Sequence, residues 1–142
     1  MKTVKDVLKS KGNKIISITP EESVFNAIKL MSESKISSLL VLKSSKLVGI
    51  ITERDYAWKV ILRGKASKTT QVREIMTSNI LYVEPSKTVE ECMAIMTEKR
   101  IRHLPIMENG ELLGLVSIGD LVKALIEHQK FIISQLEHYL HN

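Results

Sequence analysis

The chain has one cysteine in 142 residues, so no disulfide can form within it. Aromatic side chains make up only 4% of it, which leaves Ile, Leu, Val and Met to build the core. No apolar run is long enough to span a bilayer, and no N-terminal apolar stretch resembles a signal peptide. These absences lead us to expect a soluble cytoplasmic protein, or one of an organelle matrix if the chain is processed. Clustered cations are missing too. The 21 Lys and Arg residues are scattered, for a net charge of +5. Their densest stretch, Arg63 to Lys68, has no aromatic among its cations and reads as a solvated loop. Binding to a phosphate backbone needs a concentrated footprint, so no nucleic-acid partner is expected. There is no Gly-x-Ser-x-Gly, no P-loop and no pair of carboxylates with an acid–base role, so no residue is assigned to catalysis. His128, His138 and His141 lie near the C-terminus with no Cys or acidic cluster at ligand spacing, and no metal is expected.

What is present is a repeat. Hydrophobic residues make up 44% of the chain and charged residues 26%, a globular composition. A constant offset of 65 residues carries Gly49 to Gly114, Pro20 to Pro85, Val24 to Val89 and Met31 to Met96. It also carries Glu33 to Glu98, Leu39 to Leu104, Leu47 to Leu112 and Asp55 to Asp120. Ser23 with Thr88, Val41 with Ile106 and Thr52 with Ser117 are conservative pairs at the same offset.

Each copy reads as strand, helix, strand, strand, helix. Ile15–Ile18 and Ile80–Val83 are short β-prone runs, each closed by a proline. Ser23 and Thr88 suit helix N-caps. Behind them, Ala27, Ile28 and Met31, and Val89, Met93 and Met96, recur at helical spacing, with Cys92 as an inert core thiol. Two apolar runs follow, Leu39–Leu42 and Leu47–Ile51, joined by a turn at Lys43–Lys46. The matching turn in the second copy carries Asn109-Gly110, a strong hairpin signal. Outside the repeat, Val4–Ser10 can form a short helix. Leu121, Leu125, Ile132, Leu136 and Leu140 mark a long terminal helix, in one piece or broken, with more apolar surface than one small domain can cover. Trp58 reads as a core or dimer-contact residue. The segments expected are 1–70 for the first copy with its N-terminal helix, 71–128 for the second and 129–142 for a helical tail.

The second apolar run of each copy leads into a shared motif. Val48-Gly49-Ile50-Ile51-Thr52-Glu53-Arg54-Asp55 and Leu113-Gly114-Leu115-Val116-Ser117-Ile118-Gly119-Asp120 resemble the signature of cystathionine-β-synthase-type (CBS) repeats. Ile75-Met76-Thr77 resembles the segment between such repeats, and Arg102-His103-Leu104-Pro105-Ile106 the start of a strand in a second repeat. The resemblance spans nearly the whole chain. It implies an α/β fold of two pseudo-twofold-related β-α-β-β-α repeats forming one module, with a short N-terminal and a long C-terminal helix added. It implies two clefts, a homodimer and a regulatory role. The expected ligand is an adenine nucleotide, AMP first, with ATP or NAD(H) as alternatives, acting as a regulator rather than a cofactor.

A strand that turns into a helix leaves backbone N–H groups that favour an anion. A hydroxyl at Thr52 suits a phosphate oxygen, and a carboxylate at Asp55 suits ribose hydroxyls. The same pattern is a capping box that stabilises a helix with no ligand at all. Carried over from the family, the first cleft gathers Thr52, Arg54, Asp55, Thr77, Asn79, Ile80, Arg102 and His103. The second gathers Lys14, Ile15, Ser37, Ser38, Ser117 and Asp120. Arginine forks suit phosphate, and a protonated His103 would add charge, so phosphate-bearing ligands are expected to prefer the Asp55 side. With no effector domain in the chain, the output must pass through an unidentified partner protein. The alternative is an interaction module with vestigial clefts, for example a regulator of a thioredoxin-type partner, as similar stand-alone modules in plants suggest.

Overall fold

In the computed structural model the described residues are 2–12 and 14–141. Residues 1, 13 and 142, which include the outer ends of the expected segments 1–70 and 129–142, lie outside them. The chain divides into two compact units. One is Ile15–Ile80; the other joins Met1–Lys14 to Leu81–Asn142. They are called here the first-repeat and second-repeat units.

In the first-repeat unit, β1 (Ser17–Ile18) pairs parallel with β2 (Ser38–Lys43), and β2 pairs antiparallel with β3 (Lys46–Thr52). Between β1 and β2 runs α2 (Val24–Ser34). Ser23 starts it by accepting the Asn26 N–H at 3.1 Å. Lys35 stops it in the left-handed conformation, φ 56°. The positions at helical spacing, Val24, Ala27 and Met31, are buried against Leu39, Val41 and Ile51. A short α3 (Glu53–Tyr56) follows β3 and continues into a π-helical turn at Ala57–Ile61. Last comes α4 (Val72–Ile75), whose Val72 and Ile75 complete this core.

The second-repeat unit repeats the plan. A helix α5 (Val89–Lys99) is closed at its start by a reciprocal box between Thr88 and Glu91, and at its end by a left-handed Arg100. Strands β4 (His103–Glu108) and β5 (Glu111–Ser117) form an antiparallel pair whose register slips between Ile106 and Met107, as β2 slips between Val41 and Leu42. Cys92 is buried in this core, and burial pushes its thiol up to about 11. The expected strand at Ile80–Val83 shrinks to a single bridge, Val83 with Ile106. Pro105 explains the loss. It has no N–H to extend the ladder towards Leu81, whereas Leu40, in its place in the first repeat, keeps its own.

Each unit is completed by a short helix that precedes the other repeat in sequence. The helix α1 (Val4–Lys11) belongs to the second-repeat unit, where Val4 and Lys5 donate to the carbonyls of Lys87 and Pro85 at 2.8 and 3.1 Å. In the same way Val72 and Arg73 donate to Glu22 and Pro20 at 2.8 and 2.9 Å in the first-repeat unit. From β5 the chain enters α6 (Ile118–His141), an unbroken helix of 24 residues, so the interruption allowed by the sequence does not occur. Only Leu121 and Ala124 are buried on it. No helix among the described residues is long and apolar enough to cross a membrane.

The two hairpin turns differ in strain. Both residues of each loop hold positive φ: Asn109 and Gly110 at 52° and 80°, Ser44 and Ser45 at 51° and 66°. Asn-Gly suits that geometry and Ser-Ser does not, since a left-handed L-residue costs about 1–2 kcal/mol. Grafting the second turn onto the first, Ser44→Asn with Ser45→Gly, should raise stability by roughly 1 kcal/mol and the thermal midpoint by about 3 °C in calorimetry. An unchanged or lower midpoint would show that the serines are not strained.

Candidate functional site

Each unit turns from its last strand into a helix at a corner built from a hydroxyl and a carboxylate. At the first corner, one carboxylate oxygen of Asp55, Oδ2, accepts the backbone N–H of Thr52 at 2.9 Å and the Thr52 hydroxyl at 3.2 Å. The Thr52 oxygen in turn accepts the Asp55 N–H at 3.2 Å. At the second corner, Asp120 Oδ2 accepts the Ser117 N–H at 2.8 Å, and Ser117 Oγ accepts the Asp120 N–H at 3.1 Å. The capping reading of the motif is therefore realised at both.

The corners hold fewer open amides than the sequence suggested. The N–H of Glu53 goes to the Ser37 carbonyl at 3.1 Å, and that of Ile118 to the Arg102 carbonyl at 2.9 Å. With the capping bonds, the amides of Thr52, Glu53 and Asp55, and of Ser117, Ile118 and Asp120, are engaged within the fold. The backbone alone is thus a weak anion cradle here, and charge must come from side chains.

Two lysines supply it, and sequence reasoning missed both. Lys59 Nζ lies 2.9 Å from Asp55 Oδ1 and donates to the Ile75 carbonyl at 2.9 Å. Lys11 Nζ lies 2.7 Å from Asp120 Oδ2 and donates to the Leu115 carbonyl at 2.8 Å. The first pair had a readable signal, because Lys59 stands four residues after Asp55 on a helical path. The second had none, since its partners are 109 residues apart. It exists because α1 has eight residues where α4 has four, and Lys11 sits on the extra turn.

The other expected residues fall into place by unit. Ser38, buried, stands opposite Thr52 across the β2–β3 ladder. Thr77 exchanges two backbone hydrogen bonds with Ile50, at 2.9 and 3.0 Å. Their approach depends on Gly49, where a Cβ would lie 2.5 Å from Met76 Sδ and 3.2 Å from the Thr77 oxygen. Asn79 follows, exposed, with Ile80 half-buried. Arg54 is exposed and stacks over the Trp58 ring at 5.2 Å. Trp58 itself is 59% exposed, which removes the core role the sequence allowed it. Lys14 is exposed and Ile15 half-buried. In the second-repeat unit His103 stands opposite Ser117, beside exposed Arg102. Thus Ser37 and Ser38 neighbour Thr52 and Asp55 within one unit, while Arg102 and His103 neighbour Ser117 and Asp120 within the other. Among the described residues no three His, Cys, Asp or Glu are grouped to hold a metal ion.

The electrostatics of the second corner follow from this packing. Burial raises the Asp120 carboxyl, but Lys11 and Ser117 outweigh it and hold the group below its ordinary range. His103 is pushed down to about 4, first by burial and then by the Lys11 and Arg102 cations, with Asp120 opposing. It is therefore neutral near pH 7, and the protonated form considered from sequence is disfavoured. Because the folded chain prefers neutral His103, its contribution is complete above the unfolded value near 6.5 and is lost as pH falls towards 4. Denaturant melts between pH 7 and pH 4.5 should show a loss that His103→Gln reduces by about 1–3 kcal/mol. Identical pH slopes for the two proteins would contradict it.

Comparison with known proteins adds to the geometry. The family model for the CBS domain matches residues 4–60 and 72–127. The chain is 37% identical to the Arabidopsis thaliana protein CBSX3, mitochondrial, over 97% of this chain and 71% of that protein. The structure of a putative signal-transduction protein with CBS domains from Burkholderia ambifaria superposes with a TM-score of 0.86 at 52% identity, covering 89% of this chain and 96% of that one. The CBS domain pair of protein MJ0100, solved with 5-methylthioadenosine and S-adenosyl-L-methionine, superposes at 0.79 with 25% identity, over 90% and 98% of the two chains.

Proposed function

Because the chain belongs to the CBS-domain family, as two such domains in tandem, we propose that it is a regulatory module that binds an adenosine-containing ligand and acts on a partner protein. AMP is the first candidate, with ATP or NAD(H) next. The observation that carries the reading is the doubled corner. Thr52 with Asp55 and Ser117 with Asp120 present the same hydroxyl and carboxylate at the end of the same strand. Such a pair offers acceptors for ribose hydroxyls, and Lys11 and Lys59 bring positive charge beside it. The adenosine compounds bound to the MJ0100 pair support the ligand class. Regulation would then be a population shift, the ligand favouring the conformation that binds it better. Cytosol and organelle matrix both suit this reading, and the Arabidopsis relative carries a mitochondrial name.

Thermal melts with AMP, ATP, NADH and S-adenosylmethionine test the proposal. A ligand present at 100 times its Kd adds about 2.7 kcal/mol, which for a chain of this size is a rise of roughly 5–10 °C. At least one of the four should give it. No shift with any would favour the second reading, an interaction module with vestigial clefts, which the internally satisfied capping bonds at both corners also suit.

For self-association, α6 is the surface we propose. Phe131, Ile132, Ile133 and Leu136 are 43–62% exposed on it, and Tyr139 and Leu140 more so. A homodimer through this helix should sediment at twice the chain mass, and Ile132→Glu with Leu136→Glu should shift it to monomer. A monomeric wild-type chain would refute the dimer.

A further inference from the structure

The two corners share a plan but not a state of satisfaction. At Asp55 both carboxylate oxygens are engaged: Oδ2 by the Thr52 amide and hydroxyl, Oδ1 by Lys59. The side chain is 9% exposed. The Thr52 hydroxyl has given its only hydrogen to the same carboxylate. A ligand hydroxyl would have to compete with Lys59, which also holds the Ile75 carbonyl, at the one oxygen of this nearly buried carboxylate that has a lone pair left.

Asp120 differs. Every hydrogen bond and ion pair it makes among the described residues falls on Oδ2, from Lys11 and from the Ser117 amide. Its side chain is 24% exposed, and Oδ1 keeps its acceptor capacity. Lys11 Nζ uses two of its three hydrogens, on Leu115 and Asp120. An acceptor and a donor thus stand side by side, held by bonds already made. A vicinal diol matches that pair, one hydroxyl donating to Oδ1 and its neighbour accepting from the ammonium.

We propose that Lys59 closes the Asp55 corner, so that the chain takes one adenosine-containing ligand, at the Asp120 corner, with Lys11 as a specificity-determining residue for the diol. This rests on the adenosine reading above and reverses the preference expected from the arginines. It assigns distinct tasks to two lysines from unrelated positions. The 65-residue offset carries Lys59 to Ala124, so the second corner has no such plug.

Titration calorimetry and amide NMR on the full chain, with AMP, adenosine and 2′-deoxyadenosine as probes, test it. Expected are one equivalent bound per chain, shifts at the Ser117–Asp120 amides with the Thr52–Asp55 amides still, and a preference of tenfold or more for adenosine over its 2′-deoxy form. Lys11→Met should cut that preference to about threefold or less. Lys59→Met should add a second equivalent at the Thr52–Asp55 amides, and Lys59→Gln serves if that variant melts early. Two equal sites in wild type, or shifts confined to the Thr52–Asp55 amides, would overturn the inference while leaving the adenosine reading intact. An undiminished preference in Lys11→Met would overturn the role of Lys11. No binding by wild type with binding by Lys59→Met would overturn the open Asp120 corner alone. Silence from every protein would overturn both readings.

Discussion

A carboxylate three residues past a strand, folded back on the amide where that strand ends, is the contact on which both units turn. The Asp55 and Asp120 bonds to Thr52 and Ser117 fix the direction in which the chain leaves the sheet. That direction decides where α3 and α6 begin. The same carboxylate carries the chemistry proposed for the site. Structure and function therefore compete for the same oxygen atoms, and the competition ends differently at the two corners. Where a lysine takes the second oxygen, the proposal leaves the group as a structural cap. Where the lysine shares the first, an acceptor is left over.

Duplication explains why this divergence can be read at all. Matching caps, matching register slips and matching left-handed helix ends at Lys35 and Arg100 give each feature of one repeat its control in the other. Differences then stand out against a common frame. Pro105 for Leu40 reduces a parallel pairing to a single bridge. Ser44-Ser45 for Asn109-Gly110 leaves a turn in which L-residues hold a conformation that favours glycine. An extra turn on α1 delivers Lys11 to a corner whose following helix has Ala124 at the position matching Lys59.

The parts of this molecule that sequence made legible are those encoded locally. Ser23 and Thr88 cap helices because a short hydroxyl before an apolar period has few other uses. The Asn109-Gly110 hairpin follows from φ alone. The paired corners follow from a hydroxyl and a carboxylate three residues apart, repeated at one offset. What stayed hidden depends on length and reach. The offset of 65 residues holds through the strands but fails across the preceding helices, because four residues of α4 stand against eight of α1. Lys14 and Ile15, carried over from the family as second-cleft residues, lie beyond the turn that carries Lys11. A long flexible side chain such as lysine has no periodic signature, and its partner is fixed only when the fold is. The amides at the corners were hidden for a similar reason. Two of their acceptors, the carbonyls of Ser37 and Arg102, come from the residues just before β2 and β4 rather than from the motif.

Charge at the second corner shows how far such indirect placement reaches. Lys11 lowers the Asp120 carboxyl and also disfavours a proton on His103, with burial as the larger cause there. One ammonium thus helps Ser117 hold Asp120 ionised and, second to burial, disfavours a charged imidazole within the same few residues. A neutral His103 brings no cation to attract phosphate, while an ionised Asp120 accepts hydroxyl hydrogens strongly. For the adenosine ligand proposed here, the corner therefore favours contact with the sugar through Asp120, while Lys11, which lies outside the signature motif, and Arg102 remain its cations.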